Sequence, residues 1–432
     1  MNRKLASVAA ATAALVVLAG CSANADAPGA DDATGQNITF WVMGGDTPDA
    51  LRDYLKNEYK ERTGGTLTIE EQGWGDALSK LTTALPDADN TPDVTEIGNT
   101  WSPTFTTVGA FSDISDLYDE LGGDKLLASF VEVGEVDGAN YALPYYFGSR
   151  YVFYRKDLYQ AAGVEVPTTL GQLTEVASAL RTDSLSGFYL GGEDWRNGIS
   201  WVFAHGGELA VKDGDEWVSS LSDPKTIEGL EALQALYTAA SNAPVTEADS
   251  TPWVNINTQP EAAAPESATI IAPGWAHWSI GDLAPDPADS SKTIATWNDD
   301  VFGVYPLPGV DGGVAPVFAG GSNIAISAAS KNQAGARELM KIIFSAEYQQ
   351  MLGENGLGPA NSDYVSALGD DQFAKALIES ALGSKLTPAA PGWAAVEGSG
   401  LLEEFFGKVN AGGDIASLAA EYDAKITPLL NP

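Results

Sequence analysis

Cysteine occurs once in the 432 residues, as Cys21, and histidine twice, as His205 and His277. One thiol cannot close an internal disulfide, and two histidines outside any H-E-x-x-H context, with no EF-hand spacing, provide no zinc or calcium motif. Basic residues are scarce as well: 23 Lys and Arg stand against 59 Asp and Glu, a formal charge of −36. A surface of that sign repels phosphate backbones, which argues against nucleic acid as a partner. There is no Walker A loop and no G-x-G-x-x-G. G-x-S-x-G is also incomplete: Gly398-Ser399-Gly400 has the wrong spacing and Gly321-Ser322-Asn323 lacks the flanking positions. No cofactor, no metal and no catalytic residue is therefore expected, and the chain does not read as an enzyme.

Apolar runs of membrane-spanning length are also missing. The one concentrated apolar stretch, Leu5 to Ala19, follows the basic Asn2-Arg3-Lys4 and has the length of an export signal. Leu18-Ala19-Gly20-Cys21 follows directly and resembles the bacterial lipobox, in which the cysteine thiol receives a diacylglycerol. Residues 1–20 are thus expected to be a lipoprotein signal peptide, with Cys21 the lipidated mature N-terminus on the outer face of the cell membrane. Residues 21–36 carry no aliphatic side chain larger than alanine beyond that cysteine, and are expected to form a flexible tether.

From residue 37 the pattern alternates between strand and helix. Ile38 to Val42 reads as a strand, and Thr47-Pro48-Asp49 offers a helix start. Leu51, Tyr54, Leu55 and Tyr59 recur at helical spacing until Gly64-Gly65, after which Thr66 to Glu70 alternates as a strand. A second helix, with Asp76 as its expected cap, and a strand around 93–97 continue a largely parallel α/β sheet. A change of register at Tyr141-Ala-Leu-Pro144 predicts a hinge. Downstream, Thr169 with Gln172 fits a capping box and Asp223-Pro224 a helix start. Thr269 to Ala272 reads as an apolar strand, 301–307 and 317–327 as strands, and Ala336 to Ile343 as a strong helix. The tail from 371 is mostly helical.

Several of these segments carry a resemblance. Ile38 to Trp41, Thr91-Pro92-Asp93-Val94, Tyr141 to Pro144 leading into Val152 to Leu158, Gly320 to Ser327 and Gly356-Leu-Gly-Pro359 stand in the order and spacing of one family. The chain resembles an extracellular solute-binding protein of the carbohydrate-uptake class, family 1. The resemblance implies a two-lobed, type II periplasmic-binding-protein-like α/β fold, with discontinuous lobes joined by hinge strands. The alternation of segments suggests 37–145 plus 300–355 for lobe 1 and 146–299 plus 356–432 for lobe 2. It also implies a carbohydrate ligand, closure of the lobes around it, and delivery to the permease subunits of an ABC importer, the protein acting as a monomer touching the membrane through its lipid.

A pyranose presents an apolar face and a rim of hydroxyls, so its site needs aromatic plates and planar polar groups. Eleven tryptophans are available, several at strand ends, where open α/β sheets place ligands. Trp41, Trp74 and Trp101 stand near Asp46 and Asn99; Trp275, His277 and Trp278 follow Pro273-Gly274. Trp275 leads the list, because it comes after an apolar strand and matches a tryptophan the family places there. Core packing explains an arbitrary tryptophan better than ligand contact does. Trp195 and Trp393, in loops, stand between the two roles, and Tyr145 and Tyr146 at the hinge serve equally well as plates or packing. Gly320 and Gly321 allow close backbone approach, with Ser322 beside them, though glycine in a strand equally marks a bulge. Two other functions fit the composition: a glycan hydrolase using two carboxylates in an aromatic cleft, and a polysaccharide-binding envelope lipoprotein uncoupled from transport.

Overall fold

The computed structural model describes residues 32–248, 253–258 and 265–432. The expected leader, Cys21 and the tether as far as residue 31 lie outside the described residues. Residues 33–36, given to the tether on composition, are instead anchored to the body. Gly35 N–H donates to Thr63 O (2.7 Å), the Tyr59 hydroxyl donates to Gln36 O (3.0 Å), and Gly335 N–H donates to Gln36 Oε1 (2.8 Å). Backbone and amide groups can be tied down without apolar side chains when partners lie alongside.

The chain starts with β1 (Ile38–Met43), α1 (Asp49–Thr63), β2 (Leu67–Gln72), α2 (Trp74–Ala84), β3 (Val94–Gly98) and α3 (Ser102–Thr107). β1 pairs in parallel with both β2 and β3. The two-residue period of β1 sends Ile38, Phe40 and Val42 to one face, where Leu51, Leu55 and Tyr59 of α1 cover them. Met43 goes to the other face with Ala77 and Leu81 of α2. Each such large side chain contributes about 1.5–3 kcal/mol by leaving water. Helix starts differ from expectation in detail. Thr47 does not cap α1; its hydroxyl lies 3.0 Å from that of Tyr145. Asp76 falls inside the first turn of α2 and pairs with Lys80 one turn on.

Next come α4 (Ala128–Glu132), the hairpin β4 (Glu135–Val136) and β5 (Ala139–Asn140), and the 14-residue β6 (Ala142–Arg155). Leu143, Tyr145 and Tyr146 of β6 sit in the core built by β1 and α1, whereas Phe147, Tyr151, Val152 and Phe153 sit in a second core. The hinge expected at Tyr141–Pro144 is thus found a few residues later, at Tyr146–Phe147. Pro144 lies within the strand, opposite Asn323.

α5 (Lys156–Ala162) packs through Tyr159 in a small cluster with Leu180 and Ala268, and the second core gathers α6 (Leu170–Leu180), α7 (Trp195–Ala204), the hairpin β7 (Ala210–Asp213) and β8 (Glu216–Ser219), α8 (Pro224–Ala240), α9 (Trp253–Ile256) and β9 (Thr269–Pro273). A hairpin, β10 (Asp282–Pro285) and β11 (Thr293–Thr296), precedes β12 (Phe302–Tyr305). Thr169 caps α6 by accepting from Gln172 N–H, but Gln172 Oε1 reaches back to Thr168 rather than to the cap itself. Asp223 caps α8 through Lys225 N–H. β9 and β12 both run antiparallel to β6. Phe302, Tyr305, Leu307, Val317 and Phe318 join the second core. The stretch from 302 to 318, assigned with 37–145 from strand alternation, therefore packs with the other lobe, because its pairing partner is the far half of β6.

β13 (Ala319–Ile326) carries the chain back, with Ala319 in the second core and Ile324 and Ile326 in the first; it pairs antiparallel with β6 and β3. α10 (Gln333–Ile343), α11 (Ala346–Glu354) and β14 (Gly358–Pro359) complete the first lobe. α12 (Gln372–Leu382), α13 (Trp393–Gly398), α14 (Leu401–Asn410) and α15 (Ile415–Leu430) complete the second. The result is two α/β lobes, each assembled from separated segments, with β6 and β13 as paired hinge strands. A register irregularity at Ser322/Asn323 lies where β13 changes lobes. Gly321 has φ +135°, and a Cβ there would lie 2.4 Å from Tyr146 O, so the crossing requires glycine.

Candidate ligand-binding site

The C-terminal ends of β1, β2 and β3 lie side by side and supply one wall. After β1 the chain turns at Gly44, whose φ of +55° and missing Cβ leave room for the Trp74 ring, 3.0 Å from where that carbon would be. Trp74, 36% exposed, packs edge-on to Trp101 with centroids 5.6 Å apart, and its indole N–H donates to Asp46 Oδ2 at 2.9 Å. Three of the anticipated residues, Asp46, Trp74 and Trp101, are therefore brought together. Asp46 is exposed as a residue, and partial desolvation raises its pKa against the hydrogen bonds of Trp74 and Tyr146. Asn99 is buried, donating from Nδ2 to Ala319 O at 3.3 Å, which ties β3 to the start of the hinge strand β13.

Beneath Asp46 the Tyr146 hydroxyl lies 3.2 Å from Asp46 Oδ2 and 2.9 Å from Glu96 Oε1, with Ser322 Oγ at 3.4 Å. Glu96 is fully buried, accepts from Met43 N–H at 2.8 Å, and is pushed up to about 7 by burial. This glutamate was not singled out from sequence. The available signal was a lone carboxylate inside Val94-Thr-Glu-Ile97, a strand flanked on both sides by other strands.

The second lobe contributes the turn after β9. Trp275 is 55% exposed and packs edge-on to Trp253 at 5.0 Å; Trp278 is 70% exposed. His277 is different: its ring stacks on Phe373 at 4.7 Å, its Nδ1 lies 2.7 Å from Gly274 O, and burial lowers its pKa, so it props the turn. At the hinge, Gly148 pairs with Gly320, and Arg150 stacks over Phe318 at 4.6 Å while donating to Asn197 Oδ1 and Phe318 O. Asn197 in turn donates to Asp194.

Other expected residues are placed elsewhere. Trp195 and Trp393 are fully enclosed in the second core, edge-on at 6.4 Å, with Trp195 Nε1 donating to Glu403; neither presents a free face. Tyr145 is buried between Thr47 and Tyr348, taking the packing role. Trp41 shares the α2 side of the sheet with Met43, and its indole N–H donates to Glu70 on the neighbouring strand. Among the described residues no group of three or more His, Cys, Asp and Glu is placed to hold a metal ion, and no helix is long and apolar enough to cross a membrane.

The family model for bacterial extracellular solute-binding proteins matches residues 55–378. The chain is 33% identical over 407 residues to the diacetylchitobiose binding protein DasA of Streptomyces coelicolor, covering 92% of this chain and 91% of the relative. Among solved structures it is similar to the sugar-binding protein MalE from Xanthomonas citri (TM-score 0.74, 19% identity, 91% of this chain and 97% of that one). It is also similar to a cyclo/maltodextrin-binding protein complexed with maltotetraose (TM-score 0.72, 19%, 91% and 97%). The chain belongs to the bacterial extracellular solute-binding proteins, a family of binding proteins and not of enzymes.

Proposed function

We propose that this chain is the lipid-anchored receptor of an ABC importer, capturing a short oligosaccharide between its lobes and presenting it to the membrane permease. The observation that carries the reading is the exposed Trp275 ring at the end of β9 in one lobe, with Asp46, Trp74 and Trp101 at the strand ends of the other. An aromatic plate suits the C–H face of a sugar, and a carboxylate suits its hydroxyls or amide N–H. A ligand touching both walls favours the closed form by differential contact. The hinge strands β6 and β13 divide the lobes in this reading, with Tyr146–Phe147 and Ala319–Ser322 as the crossings. Diacetylchitobiose and maltodextrins, named for the relatives, are the first ligands to try. Cys21 of Leu18-Ala-Gly-Cys21 is the lipidation site in this reading.

Thermal denaturation of residues 32–432 against diacetylchitobiose, maltotetraose and common monosaccharides tests the capture step. A ligand that binds only the folded state raises the melting temperature. A rise with one short glycan, recovered intact, supports transport capture; recovery of cleaved glycan points to a hydrolase. No rise across the panel removes carbohydrate as the ligand. Fatty-acid labelling of the full chain and of Cys21→Ser tests the anchor, which fails if both take up label equally.

A further inference from the structure

Tyr146 Oη stands between two carboxyl groups, 2.9 Å from Glu96 Oε1 and 3.2 Å from Asp46 Oδ2. A phenol carries one proton, so with both carboxyls ionised one of these contacts would set lone pair against lone pair. Both become hydrogen bonds if one carboxyl holds a proton. Asp46 has the better claim to the charge: its residue surface meets solvent, Trp74 N–H donates to it, and Arg52 lies in its field. Glu96 has no exposure. Its Oε2 accepts from Met43 N–H, a bond that favours the carboxylate but that the carbonyl oxygen of a neutral acid also accepts, and its Oε1 is then a hydroxyl aimed at Tyr146.

We propose that Glu96 is a positioning residue of the ligand site: held as the neutral acid, it donates to the Tyr146 hydroxyl, which donates to Asp46 Oδ2 and so fixes that carboxylate as an acceptor for ligand. The inference rests on the reading of Asp46 as a ligand contact given above. Burial, the largest influence, acts in the same direction and raises Glu96 against the opposing hydrogen bonds of Ser322, Met43 N–H and Tyr146. The titratable groups facing Glu96 are Asp46 from the turn after β1, Tyr145 and Tyr146 from β6 and Tyr348 from α11, and Arg52 from α1 faces Asp46, Tyr145 and Tyr348 in the same set. Glu71 of β2 faces Asp46, and Ser322 of β13 supplies a neutral hydroxyl. Arg52 is the one cation in this set, and its guanidinium is engaged by Glu71, Gly44 O and Thr47 O. Ionisation of Glu96 would add a second negative charge behind Tyr146 and compete with Asp46 for its proton.

The decisive measurement needs no ligand. Carbon-detected NMR titration of the side-chain carboxyls, with Glu96→Gln to assign the resonance, should show Glu96 protonated at about pH 6 and losing its proton in the neutral range. A Glu96 that titrates with the ordinary glutamates overturns the proposal. Calorimetry with diacetylchitobiose then reads the consequence. Wild type should lose about tenfold in affinity between about pH 6 and pH 9; Glu96→Leu should lose about tenfold already at the lower pH, and Glu96→Gln should rescue that loss and flatten the profile. The same pH slope in Glu96→Gln as in wild type sinks the positioning role. Absence of any sugar binding by wild type counts against the proposed function alone, and the carboxyl titration still decides the state of Glu96.

Discussion

The Thr104 hydroxyl of α3 donates to the Pro391 carbonyl at 2.9 Å, a hydrogen bond that runs from the first lobe to the loop leading into α13 of the second. A single bond of this kind is worth about 0.5–1.5 kcal/mol, comparable to what separates open from closed in a hinged protein. Thr104→Val should therefore shift the unliganded protein toward the open form. Small-angle scattering checks this as a larger radius of gyration than wild type, and an unchanged radius would show that the bond does not hold the lobes.

The hinge makes a prediction that separates two adjacent glycines. Gly321, with φ +135° and a backbone oxygen 2.4 Å from any added Cβ, should lose about 1–3 kcal/mol on substitution by alanine. At Gly320 the nearest atom to an added Cβ is 3.5 Å away, so Gly320→Ala should cost well under about 1 kcal/mol. Urea denaturation of both variants checks the difference; equal stability would mean that the crossing adapts.

Exposure divides the tryptophans. Trp275→Ala should leave the melting temperature nearly unchanged, the ring being 55% exposed, while weakening sugar binding by about 1–3 kcal/mol. Trp201→Ala, at 1% exposure and edge-on to Phe188, should cost about 3–5 kcal/mol of stability. Parallel calorimetry and thermal denaturation check the pair, and the assignment fails if Trp275→Ala binds as wild type does.

Glu96 makes folding stability depend on pH with a definite sign. Its pKa is raised in the folded protein to about 7, so the unfolded chain releases the proton first. The stabilisation is complete below the ordinary glutamate range and is lost as pH rises from about 4.5 through about 7, on the order of 3 kcal/mol in all. Glu96→Gln should remove this component of the slope. Denaturant titrations at a series of pH values check it, and an unaltered slope would place Glu96 outside the titration.

Periodicity was enough to find α1, α6, α8 and α10 and the strands β1 and β9, because each buries one face against the sheet or the lobe core and the spacing of its apolar residues records that face. The glycine signals also held where geometry depends on a single residue, as at Gly64, which ends α1 in the left-handed conformation.

The remainder required contacts between residues far apart in sequence. Trp275 and Trp393 both follow Pro-Gly, and the apolar strand before Trp275 is their one local difference; Trp393 is enclosed because Trp195 and the α15 end close over it. The proton held at Glu96 depends on Tyr146 from a strand fifty residues later and on Asp46 fifty residues earlier. By itself, then, the sequence determined the kind of lobes this chain builds, the order of their elements and the class to which it belongs, since those follow from patterns within single elements. Which aromatic rings stay in water, where the chain crosses between lobes and which carboxyl keeps a proton were decided by the tertiary structure, because burial and electrostatic environment are properties of what long-range packing brings alongside.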